Sequence, residues 1–159
     1  LLKGVNDNIN ILNKLYDAFR YLGIESHYLF HCIPMQGMNH HRTSVQRGLD
    51  ISEQLINSGI VSGRAKPMYT LMTDLGKITL LPNSILDRND KNEILIQSRY
   101  TVDDFKYRNP SWELPKSSSI DENGYLRVWY SDGTDDNDDS SQQFDADNYF
   151  SVPINRINN

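Results

Sequence analysis

The chain has 159 residues, 38% of them hydrophobic and 23% charged, with a formal net charge of −5. That length supports a sizeable core, the acidic balance argues against a nucleic-acid surface, which needs clustered Lys and Arg, and no apolar run reaches membrane-spanning length. One cysteine excludes an internal disulfide framework and suits a reducing, cytoplasmic setting.

Taken in chain order, "LLKGV" (1–5) reads as a short buried strand already under way. With neither an initiating methionine nor a leader signature, it suggests a piece of a longer polypeptide. Asp7 stands where a helix N-cap would, and Ile11, Leu12, Leu15, Phe19 and Leu22 follow at helical spacing up to Gly23. "IESHYLF" (24–30) reads as a strand, and a helix between two strands predicts a parallel crossover. A second helix is expected from Ser44 to Ser58, with Val45, Leu49, Leu55 and Ile56 inward. "KPMYTLMT" is a third strand, "DLGK" a turn, and "KITLLP" continues from it. "EILIQS" is a further strand after the turn at "RNDKN". The character changes near residue 109, dividing the chain into 1–109 and a turn-rich, acidic extension over 110–159. In the extension, "YLRVWY" is a strand after the Asn123-Gly124 hairpin signal. "SDGTDDNDDSSQQFDAD" carries seven aspartates and no basic residue, so it should be solvated and mobile. Its spacing does not match an EF-hand calcium loop.

The stretch "YLFHCIPMQGMNHHRTS" (28–44) gathers three histidines and the only cysteine. Three readings compete for it. Zinc accepts these ligand types, but structural sites pair ligands two to five residues apart, whereas His31-Cys32 and His40-His41 are adjacent and should point apart. The plainer reading is a strand end with a buried cysteine and surface histidines. The third is a substrate loop at the carboxyl end of a parallel strand, where α/β barrels carry their sites. Lys77 is likewise open: a surface lysine on a turn, or an amine available for carbonyl chemistry.

"LLKGVNDN", "YLFHC…GMNHHRT", "SGRAKP" and "GKITLLPN", in this order and spacing, resemble the C-terminal half of the lysine 2,3-aminomutase family of radical S-adenosylmethionine enzymes. The likeness runs from Leu1 to about Ser98 and weakens toward Pro110. It implies part of a (β/α) barrel of parallel strands, followed by an irregular, β-containing acidic tail, and an isomerase activity in a parent protein. The family's C-x3-C-x2-C motif, which holds a 4Fe–4S cluster, is absent, so this piece alone should be inactive and show no cluster on reconstitution. By the resemblance, Phe30, His31 and Cys32 border the adenosyl group, and His40, Arg42 and Thr43 order the loop, with His41 replacing an aromatic residue. The lysine mutases place carboxylates where this chain has Ile33 and Met72, which implies a substrate other than lysine, unless Asp74 shifts into the role. Lys77 matches the lysine that holds pyridoxal phosphate, although the glycine run before it is shortened to one. The family's optional C-terminal zinc site is lost, with Asn8 in place of a cysteine. The implied partners are a small-molecule substrate and the rest of the polypeptide, with a homo-oligomer open and neither nucleic acid nor membrane involved. Two further readings stand beside this one: a relative that does radical chemistry without pyridoxal phosphate, and a non-catalytic folding or assembly module.

Overall fold

In a computed structural model, the structure describes residues 1–61, 63 and 65–135. Among these, three α-helices pack with two small sheets in a mixed α/β arrangement. Helix α1 spans Ile9–Tyr21. Its cap is Asn8, whose side chain accepts the Asn10 amide, while Asp7 accepts the Gly4 amide instead. Leu12 and Tyr16 are the buried residues of α1; Ile11, Leu15 and Leu22, which share the helical spacing, are exposed. Strand β1 is only Tyr28–Phe30.

Helix α2, Val45–Asn57, starts at Ser44, whose hydroxyl accepts the Arg47 amide. It buries Val45, Ile51 and Leu55, and Leu49 and Ile56 lie half-buried on its flank. Gly48 lets it approach the strand that carries Tyr69: a Cβ there would stand 1.9 Å from the Tyr69 hydroxyl.

Strand β2 (Met68–Thr73) pairs in parallel with β1 and antiparallel with β3 (Gly76–Thr79). The two-residue Asp74-Leu75 connection ends on Gly76, whose φ of 85° a side chain would resist. The second sheet is antiparallel throughout, in the order β4 (Ile85–Arg88), β5 (Glu93–Thr101), β7 (Tyr125–Ser131), β6 (Ser118–Ile120). It draws strands from both sides of residue 109. Between β5 and β6 lies α3 (Val102–Arg108), opened by a capping box in which Thr101 and Asp104 satisfy each other's amides. Replacing Thr101 by alanine is expected to cost about 1 kcal/mol in a denaturant titration, with loss of protection confined to α3.

Two expectations are corrected. The expected barrel of parallel strands does not form among the described residues: β1–β2 is the parallel pair, and the remaining pairings are antiparallel. "LLKGV" is a turn, because Gly4 takes a φ of 72° and the Leu2 carbonyl accepts the amides of Val5 and Asn6. One apolar core joins the sheets, running from Leu12, Leu29, Leu55 and Leu71 to Ile94, Ile96, Leu126 and Val128. Burial of each such side chain is worth roughly 1.5–3 kcal/mol before chain entropy is counted.

Candidate functional site

Side chains alternate across a strand, so register decides which residues meet. Tyr28 pairs with Met68, Phe30 with Thr70, Thr70 with Thr79, and Met72 with Lys77. These residues share one face of the first sheet, while Leu29, Tyr69, Leu71 and Ile78 turn to the core on the other. The face combines Tyr28, Phe30, Met68 and Met72 with Thr70, Thr79 and Lys77. Tyr28 and Phe30 rings lie 5.2 Å apart, and the Lys77 amine stands 4.8 Å from the Tyr28 ring centroid, a cation–π contact. Lys77 lies in β3, paired antiparallel with Met72 near the carboxyl end of β2. Phe30 is 36% exposed, and Ile33, beyond the end of β1, is 41% exposed. Of the residues singled out from sequence, Phe30, Met72 and Lys77 therefore share one open surface. Asp74 sits in the β2–β3 turn and accepts a hydrogen bond from Ser117 at 2.5 Å.

His31 and Cys32 turn inward. His31 is 1% exposed and both its ring nitrogens are engaged: Nδ1 with the Tyr130 hydroxyl at 2.8 Å, Nε2 with the Thr43 carbonyl at 2.9 Å. Burial, helped by the nearby Arg42 charge, drives its pKa down to about 4 despite the Thr43 bond, so the ring is neutral at pH 7. Burial also pushes the Cys32 thiol up. Tyr130 is pushed up to about 12 by burial.

Arg42, 2% exposed, donates to the Cys32 carbonyl at 3.2 Å, to the Asp132 carbonyl at 3.3 Å, and to the Ser131 hydroxyl and carbonyl. Its guanidinium lies 5.6 Å from the Tyr130 ring centroid. His40 and His41 form a 3-10 turn with their ring centroids 3.9 Å apart, rather than pointing away from each other. Among the described residues, no group of three or more His, Cys, Asp or Glu is placed to hold a metal ion.

Sequence reasoning did not find the partners of this loop. Asp132, 4% exposed, accepts the Val45 amide at 2.7 Å and the Gly133 amide at 2.8 Å, and pairs with Arg88 at 2.6 Å. A carboxylate there also meets the positive end of α2. Asp135 accepts the Ser44 amide and hydroxyl. Residues 131–135, the head of the acidic run expected to be mobile, are thus bound to residues 42–45; the rest of that run, 136–147, lies outside the described residues. The available signal was the alternation of Leu126, Val128 and Tyr130, which turns Tyr130 inward.

A cleft of about 830 Å³ between α2 and the β3–β4 connection is lined by Leu49, Ile56, Met68, Leu81 and Ile85 and includes none of the predicted site residues. No helix among the described residues is long and apolar enough to cross a membrane.

No protein-family model matches the chain. It is 36% identical over 97 residues to the L-lysine 2,3-aminomutase of Methanococcus maripaludis, covering 60% of this chain and 22% of that protein. It is 34% identical over 97 residues to the L-lysine 2,3-aminomutase of Bacillus subtilis, covering 60% and 20%. It is 31% identical over 90 residues to the glutamate 2,3-aminomutase of Clostridioides difficile, covering 55% and 21%. The similarity to lysine 2,3-aminomutases read from the motifs is thus shown, and the chain spans less than a quarter of the length of these relatives.

Proposed function

We propose that this chain, a relative of the lysine 2,3-aminomutases, is part of a radical S-adenosylmethionine enzyme that moves an amino group within a substrate other than lysine. One observation carries the reading: Lys77 and Met72 are cross-strand partners on the same open face as Tyr28 and Phe30.

That face suits pyridoxal phosphate. An exposed primary amine stands over the Tyr28 ring, which itself lies against Phe30, and Gly76 leaves the backbone before it uncrowded, with nothing within 4 Å of where a Cβ would be. Lys77 would hold the cofactor, with Tyr28 and Phe30 as an apolar wall that limits water. When bound, the cofactor supplies an electron-accepting ring conjugated to the substrate nitrogen. The iron–sulfur cluster is a different matter: one cysteine cannot supply three or four thiolates, so the chain does not fit that group and its ligands must come from other polypeptide. Phe30 would then line the adenosyl side of the site, with His31 supporting it from the core.

The substrate follows from charge. Ile33 and Met72 stand where the resemblance implies carboxylates, and an apolar side chain leaves a buried ammonium unpaired at a cost of several kcal/mol, on the order of the buried-ion penalty. A glutamate 2,3-aminomutase stands among the proteins this chain is similar to, and glutamate has no distal amine, which supports the reading. The substrate is an amino acid without a distal amine, and the chain works joined to the remainder of the catalytic polypeptide in a cytoplasmic enzyme.

Incubation with pyridoxal phosphate, borohydride reduction and peptide mapping tests the assignment. Label should concentrate at Lys77 over the six other lysines of the chain and vanish there in Lys77→Ala. Label spread evenly over the lysines would remove Lys77 from the cofactor site and leave radical chemistry without pyridoxal phosphate.

A further inference from the structure

We propose that Tyr130, in strand β7 inside the C-terminal sheet, is a positioning residue that fixes the loop after β1 by holding His31 in a single tautomer. The inference concerns the extension and holds whether or not Lys77 carries a cofactor.

The proton placement follows from the partners. The Thr43 carbonyl can only accept, so Nε2 of His31 carries the hydrogen. Nδ1 then presents a lone pair, and the Tyr130 hydroxyl donates to it. The same hydroxyl lies 3.5 Å from the Cys32 carbonyl, which also accepts from Arg42. Arg42 in turn stands over the Tyr130 ring and binds residues 131 and 132. Both ends of the loop, His31-Cys32 and Arg42-Thr43, are therefore fastened to one strand that lies about ninety residues away in the chain.

Between those ends one backbone bond comes from outside the span, from the Lys3 amide to the His41 carbonyl at 2.8 Å, next to the Arg42 end. The bonds of Met35 to Ile33, Met38 to Met35 and His41 to Met38 are internal to the span. Ile33 and Met35 are exposed. Local bonds shape such a loop but do not orient it, so its direction is set at the two fastened ends. The extension thereby governs where Ile33 stands relative to Phe30. The resemblance read from the motifs runs from Leu1 to about Ser98, so a fastening that uses strand β7 joins that part to the extension.

Imidazole nitrogen NMR and amide hydrogen exchange on the full chain test this. At pH 7, His31 should be neutral with the proton on Nε2. In Tyr130→Phe the Nδ1 resonance should move as its donor disappears, and amides of residues 33–41 should exchange about tenfold faster while those of β2 keep their protection. Tyr125→Phe, at the exposed end of the same strand, should change neither. A charged or Nδ1-protonated ring in the unmodified chain overturns the proposal. So does Tyr130→Phe if the loop amides do not accelerate, or if β2 accelerates equally, which would mark a general loss of stability. Should Tyr130→Phe fail to fold, the tautomer in the unmodified chain still decides whether the proposed hydrogen bond exists.

Discussion

Arg42→Ala should destabilise the chain by about 3–5 kcal/mol, a large share of the roughly 5–15 kcal/mol that holds a domain together. The guanidinium is buried and bonds Cys32, Ser131 and Asp132, so truncation leaves several acceptors without donors and opens a void beneath Tyr130. Arg42→Lys should recover little, because a single ammonium cannot fork to the two ends of the loop and to β7 at once. Urea titration monitored by tryptophan fluorescence measures both. A loss below about 1 kcal/mol for alanine would show that these bonds are exchanged for water without penalty.

Acid should destabilise the fold through His31. The ring's folded pKa is about 4 against an ordinary 6.5, because burial opposes the charged form. A histidine depressed in the folded state is bound by a proton more readily when unfolded. Its contribution is therefore fully present above about pH 6.5, declines as pH falls toward 4 and levels off below that. The difference corresponds to about 3 kcal/mol at most. His31→Gln removes the titration, so its stability should fall less steeply than that of the unmodified chain between pH 6.5 and 4. Parallel slopes for the two chains would show that His31 protonates without strain in the folded state.

The local elements were largely readable from sequence, and their partners were not. Ser44 ahead of an apolar periodic run specified α2 with both caps, and the turn at "RNDKN" placed β5. Met72 and Lys77 were singled out through the resemblance alone; that they stand opposite each other follows from the two-residue turn before Gly76, which sets the register. The barrel expectation rested on which strands pair, and pairing depends on contacts distant in sequence. Helix α3 was missed although "TVDD" carries its capping box, because the helix is only seven residues long and has no buried stripe. The fastening of His31 by Tyr130 and of Val45 by Asp132 leaves almost no local trace. An aspartate at the head of an acidic run reads as solvated until a helix N-terminus is found beside it.

Gly133 carries a consequence for synthesis. A Cβ at that position would stand 1.9 Å from the Thr43 carbonyl oxygen, so the chain passes directly over the backbone of a segment made ninety residues earlier. During translation, residues 31–45 leave the ribosome long before the groups that complete them. Until residues 130–135 arrive, the histidine, the arginine and the first turn of α2 wait without their lasting partners. Such distant closure slows folding and keeps an unfinished surface open to wrong contacts. A nascent chain halted before residue 130 would thus be the species most exposed to chaperones and proteases, and the emergence of residues 130–135 would supply the missing partners.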